Sequence, residues 1–161
     1  MEDLSDAEIE NIAMYLNIDM IGSPNFVRFV LDGDGSNSVL EPIPQTGSPM
    51  AHIEATYHQY FDQVGLPLEE EPFSNSYGAT DHTAFYDVGI PVSDLHTGID
   101  IPKSREQAAI FGGSAGAPMD PCYHRACDTL DNVNFTVLEQ MTRAAAHVLA
   151  MYGTKEGDLF A

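Results

Sequence analysis

The chain has 161 residues, enough for one domain with a real core and too few for two. Its 25 acidic residues oppose 6 basic ones, a formal net charge of -19 with a pI near 4.2, which argues against nucleic acid or a membrane surface as partner and favours cations, basic ligands and free amines. Hydrophobic content of 43% marks a globular chain, no apolar run approaches the ~20 residues of a membrane helix, and no signal peptide is visible.

Ser5-x-x-Glu8 has the form of a capping box and opens a short helix. From Ala13 to Ile21 only Asn17 and Asp19 interrupt an apolar run, which predicts a strand covered on both faces. Gly22-Ser23-Pro24-Asn25 turns the chain, and Phe26 to Leu31 predicts a second strand closed by Asp32-Gly33-Asp34-Gly35-Ser36. The clearest helix follows. Ser48 caps it, Pro49 suits its first position and Gly65 its stop, with Met50, Ile53, Tyr57, Tyr60, Phe61 and Val64 on one face. His52 and His58 read as ordinary residues of that helix.

Leu66 to Tyr77, with Glu69-Glu70-Glu71, reads as an exposed acidic connection, and Gly89 to Thr97 as another strand. The glycine-rich stretch Gly112-Gly113-Ser114-Ala115-Gly116 lacks the Lys-Ser/Thr ending of a phosphate-binding loop. A last helix runs from about Thr136 to Tyr152, stopped by Gly153. Strands alternating with helices predict an α/β layer fold.

Three places carry side chains suited to chemistry. Asp19 is an acid ending an apolar strand, where its desolvation must be offset by a partner or a metal, and ligands of open α/β sheets collect at carboxyl ends of strands. A satisfied structural carboxylate and a ligand both fit that pattern. Cys122 and Cys127, the only two cysteines, bracket Tyr123 and His124. Their spacing suits a small disulfide loop, and hence an oxidising compartment, better than a zinc half-site without its other half. So pinned, His124 could serve as a zinc donor and Tyr123 as a hydrogen-bond donor to an oxyanion; a lone histidine is more often structural or exposed. Asp81-His82 fits a helix start, with Thr80 as its cap.

Several stretches together carry a resemblance. They are Leu16-Asn17-Ile18-Asp19-Met20-Ile21-Gly22-Ser23-Pro24-Asn25, Asp32-Gly33-Asp34-Gly35-Ser36, and Ala79-Thr80-Asp81-His82-Thr83-Ala84-Phe85 with Gly89-Ile90-Pro91. Leu95-His96-Thr97-Gly98 and Asp120-Pro121-Cys122-Tyr123-His124 with Cys127-Asp128-Thr129 complete the set. In this order, and over nearly the whole chain, they resemble the co-catalytic zinc aminopeptidases, the group of aminopeptidase S and aminopeptidase Y (metallopeptidase family 28). The resemblance implies a three-layer α/β/α fold with a mixed, mostly parallel sheet. It implies Asp19 as terminal ligand to one Zn2+ and His124 to a second, Tyr123 as oxyanion donor, and Asp81 and His82 as supports of the substrate cleft. The implied reaction is hydrolysis of the N-terminal residue of a peptide with a free amine, by water activated between two metals, in a secreted enzyme.

The chain departs from the family's pattern in one respect. The family's His-x-Asp motif and Glu-Glu pair, which supply the bridging ligand, the general base and a further ligand, have no counterpart. No His-x-Asp occurs, and Glu69-Glu70-Glu71 follows the Asp19 motif, in the wrong order. Residues 1–161 therefore read as the C-terminal part of a single zinc peptidase catalytic domain, its sheet incomplete on the N-terminal side. Either a missing N-terminal half or a complementing chain would cover the open edge. Alone, the chain is expected to bind zinc weakly and hydrolyse little. The alternative function is a catalytically silent, peptidase-like binding module.

Overall fold

The structure, a computed structural model, describes residues 4–39, 43–76 and 78–160. Four short strands, Tyr15–Ile18 (β1), Phe29–Leu31 (β2), Glu69–Glu71 (β3) and Val92–His96 (β4), form one sheet in the order β1-β4-β2-β3. β1 runs parallel to β4 and β2 parallel to β3, while β2 and β4 are antiparallel, so the sheet is mixed as expected. The helices are Asp6–Ile9 (α1), Pro49–Val64 (α2), Phe73–Ser76 (α3), His82–Tyr86 (α4), Arg105–Phe111 (α5) and Phe135–Gly153 (α6).

Because side chains alternate along a strand, each strand serves two faces. On one face Val30 and Leu95 pack against Ile53, Tyr57 and Phe61 of α2 and against Val137, Met141, Ala144 and Val148 of α6. On the other, Leu31 and Val92 meet Met50 and Phe73, with Tyr15 stacked on Phe85 of α4 at 3.8 Å. A further apolar group, Val27, Phe29, Met119 and Phe111, covers the same side. Helical layers on both faces give the α/β architecture that the alternating elements predict.

The long helices begin and end where their capping residues dictate. The Ser48 hydroxyl accepts a hydrogen bond from the Ala51 amide, and Gly65 closes α2 in a left-handed conformation at φ 67°. Asn134 accepts from the amides of Thr136 and Val137, which starts α6 at Phe135.

Three expectations need correction. The strand predicted over residues 13–21 pairs only from Tyr15 to Ile18 and forms a sheet edge, leaving Ile18 47% exposed rather than covered. The segment from Leu66 is more than a connection, since Glu69–Glu71 pairs with β2 as the opposite edge; Tyr77, at the end of that segment, lies outside the described residues. Glutamates are poor strand formers, but an edge tolerates charge, and each of these has a partner. Glu69 accepts from Gln107, Glu70 pairs with His58, and Glu71 with His96. Finally, Asp81 rather than Thr80 precedes α4, and the Thr80 hydroxyl accepts a hydrogen bond from Asn17 instead.

The turn after β2 depends on the absence of a side chain at Gly33. A Cβ there would collide with the Met50 carbonyl in the first turn of α2, while Glu54 of the same helix accepts the amides of Gly33 and Asp34, both at 3.0 Å. Neither backbone can withdraw without breaking these bonds. Gly33→Ala is therefore expected to destabilise the fold by about 2 kcal/mol, read as a lowered urea midpoint; an unchanged midpoint would show that the turn yields.

Candidate active site

At the carboxyl end of β1 the chain must leave the sheet sharply, and Met20 does so at φ 51°, a left-handed conformation rare for a side-chain-bearing residue. Hydrogen bonds hold it there. The Thr97 amide and hydroxyl both donate to the Met20 carbonyl, the Ser23 amide donates to the Thr97 hydroxyl, and Ser23 Oγ donates to the Gly98 carbonyl at 2.6 Å. The ends of β1 and β4 are thereby stitched together. They open onto a cavity of about 440 Å³ whose wall includes Asp19, Met20, Glu71, Asp94, His96 and Tyr123.

The Cys122–Cys127 disulfide forms as expected, and the loop it closes is anchored from below. Buried Asp120 accepts the Cys122 amide at 2.8 Å and Asn132 Nδ2 at 2.9 Å through one oxygen. The amides of Met119 and Asp120 bond to the carbonyls of Ile101 and Ile99, which brings the loop beside Gly98. Tyr123 reaches the cavity wall, whereas His124 is exposed, stands outside the lining and stacks on Tyr123 with ring centroids 3.9 Å apart. His124 sits at φ 54°, so it and Met20 are the two positive-φ residues other than glycine among the described residues. Such strain concentrates at functional sites.

Asp81 and His82 part company. Asp81 is exposed and faces a shallow surface recess shared with Tyr15 and Thr80. His82 is 0% exposed and lies behind the cavity, with Nε2 3.3 Å from Ser76 Oγ and Nδ1 3.8 Å from Asp94 Oδ2. Burial pulls its pKa down to about 4, so the ring is neutral near pH 7.

Sequence reasoning missed Glu71, Asp94 and His96 as site residues. Asp94 occupies the second-position strand of the sheet at 4% exposure, across from Asn17, whose Nδ2 donates to Asp94 Oδ1 at 2.9 Å and to Thr80 at 2.8 Å. Burial raises the Asp94 pKa to about 6, against the lowering effects of His96 and Asn17. His96 Nε2 is 2.6 Å from Glu71 Oε2, its Nδ1 accepts the Gly98 amide, and its ring stacks on Phe29 at 4.6 Å. Burial opposes the charge of this imidazole, but the hydrogen bond and charge of Glu71 outweigh burial and leave its pKa raised. The available signal was alternation: Val92, Asp94 and His96 share one face of a strand paired on both sides, where an unsupported acid is costly.

A second group of donors lies elsewhere, around α2. Glu54, His58 and Glu70, and also Asp32, Asp34 and Glu54, place ligand atoms within reach of one ion. Local structure accounts for them: Glu54 ties down the Gly33 turn, Asp32 accepts the amides of Ser36 and Asn37, and His58 pairs with Glu70 at 3.0 Å. Among the described residues no comparable group surrounds Asp19.

Buried His82, behind the cavity, and buried Asp94, in its wall, act in opposite directions. His82 has a folded pKa of about 4, below its ordinary 6.5, so its contribution is complete above pH 6.5 and is lost as pH falls toward 4. Asp94, raised from 3.8 to about 6, favours the fold at low pH and loses that contribution as pH rises through the same range. Each spans about 3 kcal/mol, and together they flatten the pH dependence. In His82→Gln the Asp94 slope stands alone, so the penalty of substitution should be larger at pH 7 than at pH 4. Urea midpoints at both values check this, and an equal penalty would rule out a neutral buried imidazole.

Comparison with known proteins accords with this geometry. The sequence profile of Peptidase family M28 matches residues 2–149. Leucine aminopeptidase 2 of Trichophyton rubrum is 40% identical over 149 residues, 92% of this chain and 29% of its own. Leupeptin-inactivating enzyme 1 of Streptomyces exfoliatus is 37% identical over 153 residues, 95% of this chain and 31% of its own. The chain thus spans about 30% of the length of the curated relatives it matches. BSAP, a zinc aminopeptidase from Bacillus subtilis, has a similar fold, with a TM-score of 0.61 over 98% of this chain and 32% of that one, at 16% identity. On the profile match and these identities, the chain belongs to Peptidase family M28.

Proposed function

We propose that this chain carries the C-terminal share of the catalytic site of a secreted zinc aminopeptidase, which removes N-terminal residues from peptides. The observation that carries this reading is the meeting of Asp19 and Tyr123, far apart in sequence, in the wall of one cavity at the strand ends. Ligands of open α/β sheets bind in that position.

The donor chemistry fits zinc. Asp19 offers a carboxylate oxygen and His124 an imidazole nitrogen, both of which zinc accepts, each as ligand to one of two ions. In number they fall short of enclosing an ion among the described residues. When bound, zinc supplies an acidified water and a polarised carbonyl. The chain's own groups supply the rest. The braced loop presents the Tyr123 phenol as a hydrogen-bond donor to the developing oxyanion. The acidic mouth at Asp19 draws in the free α-ammonium of the substrate. His82 supports that wall from behind, and Asp81 flanks it at the surface. The disulfide suits an oxidising, extracellular setting. The remaining donors belong, in this reading, beyond the exposed edge of β1, on a preceding half or a complementing chain.

Equilibrium dialysis and leucyl-p-nitroanilide hydrolysis test the assignment. The chain alone is expected to bind zinc weakly and turn over slowly. Asp19→Asn and His124→Ala should each lower zinc affinity about tenfold or more, while Tyr123→Phe leaves affinity intact and cuts the residual rate about 100-fold. Tight stoichiometric zinc with vigorous cleavage would overturn the partial site. Unchanged affinity in both ligand variants would overturn the ligands. Peptide binding without any cleavage would move the reading to a silent binding module.

A further inference from the structure

The cavity beneath Asp19 and Tyr123 has a composition that general peptide hydrolysis does not require. Its sides are apolar, formed by Met20, Phe29, Ile99, Ile101 and Met119, yet besides Asp19 at the mouth two further carboxylates, Glu71 and Asp94, are set into its wall. Among the described residues no lysine or arginine lines it, and His96 is the one basic side chain that does. With Nε2 2.6 Å from Glu71, His96 offsets a single carboxylate at most.

Asp94 is left without a cation. One of its oxygens is held by the neutral amide of Asn17. The other accepts no hydrogen bond among the described residues, and the neutral His82 ring stands 3.8 Å away, beyond hydrogen-bonding distance. A carboxylate only 4% exposed, facing a cavity, with one oxygen unpartnered among the described residues, is an arrangement that a cationic ligand completes. The rest of the wall matches the other half of such a ligand. Lysine and arginine place an alkyl stem along apolar surface and carry the charge at the tip. The net charge of -19 adds a field of the same sign.

We propose that this cavity is the pocket for the side chain of the substrate's first residue, and that Asp94 and Glu71 make it selective for lysine or arginine. The proposal rests on the aminopeptidase reading only in taking the mouth at Asp19 and Tyr123 as the reaction centre. The stem would lie along Met20, Phe29 and Met119, and the cationic tip would meet Asp94, with Glu71 and the hydroxyls of Ser76 and Thr80 nearby.

L-lysinamide and L-norleucinamide provide the test, since they share a linear side chain and differ in the terminal ammonium. Calorimetric titration of the full chain at pH 7.5, with and without zinc, should show lysinamide binding about 10- to 100-fold more tightly. Asp94→Asn and Glu71→Gln should each bring that ratio toward one, with circular dichroism and the thermal midpoint verifying that the variants fold. Glu71→Gln, on an edge strand, keeps the test valid where Asp94→Asn unfolds. Equal binding, tighter norleucinamide, no binding of either, or folded variants that retain the ratio would overturn the proposal. Lysyl- and leucyl-p-nitroanilide then separate the two readings. Discrimination in binding with no hydrolysis of either upholds the pocket and removes the enzyme. Hydrolysis that favours leucine upholds the enzyme and removes the pocket.

Discussion

An ionisable carboxyl group placed inside a sheet costs several kcal/mol unless hydrogen bonds offset the lost hydration, and Asp94 imposes that constraint on everything around it. Its cross-strand neighbour is Asn17, whose amide donates both to Asp94 and to Thr80. One side chain therefore fixes the register of β1 against β4 and the position of the segment entering α4. A shift of one residue would send Asp94 into the apolar layer beneath α2 and α6. The neutral His82 behind it and the His96–Glu71 pair beside it complete a polar seam between two apolar clusters. The cavity is the open side of that seam.

The seam alone would not hold reactive groups at its mouth. That falls to two strained turns with separate supports. Met20 is held left-handed by Thr97, so Asp19 projects from the strand end, and the loop of Tyr123 and His124 is closed by the disulfide and anchored on buried Asp120. The supports meet near Gly98, where a side chain would collide with Met119, the residue just before Asp120. Rigid backing under strained functional residues is the arrangement that pre-organised chemistry calls for. The residues that would touch a substrate thus depend on residues that never would: Asn17, Ser23, Thr97 and Asp120.

Long-range order of this kind explains what the sequence revealed and what it withheld. The termini of α2 were legible because Ser48 and Gly65 act on their nearest neighbours in the chain, whereas α6 starts at Phe135 and runs through Gly153, the residue expected to stop it, to a cap at Thr154. The disulfide was legible because a pair of cysteines stands out locally, and Asp19 stands out as an acid in an apolar run; the structure places Asp19 in the cavity wall. Glu69–Glu71 was not, since composition argues against a strand and only pairing with β2 makes one. Glu71 and His96 meet diagonally across β2, a relation that exists only once the strand order is known. The resemblance implies Asp81 and His82 together as cleft supports, but one helical step separates an exposed Asp81 from a His82 buried behind the cavity.

The strand order also decides where the few positive charges go. Lys103 and Arg28 are among the 6 basic residues of the chain, and both are buried. Lys103 donates to the Phe26 carbonyl at 2.6 Å and lies over the Phe26 and Phe111 rings, while Arg28 is held by Gln140 and stacks over Phe26. Arg143 pairs with Glu139 on the exposed side of α6. Lys103, Arg28 and Arg143 are thus committed to parts of the fold away from the cavity. A cavity wall holding Glu71 and a buried Asp94, with His96 as the one basic side chain among the described lining residues, accords with that distribution. A ligand bearing its own positive charge would complete the Asp94 oxygen that has no hydrogen bond among the described residues, without any rearrangement of the seam that holds β1 to β4.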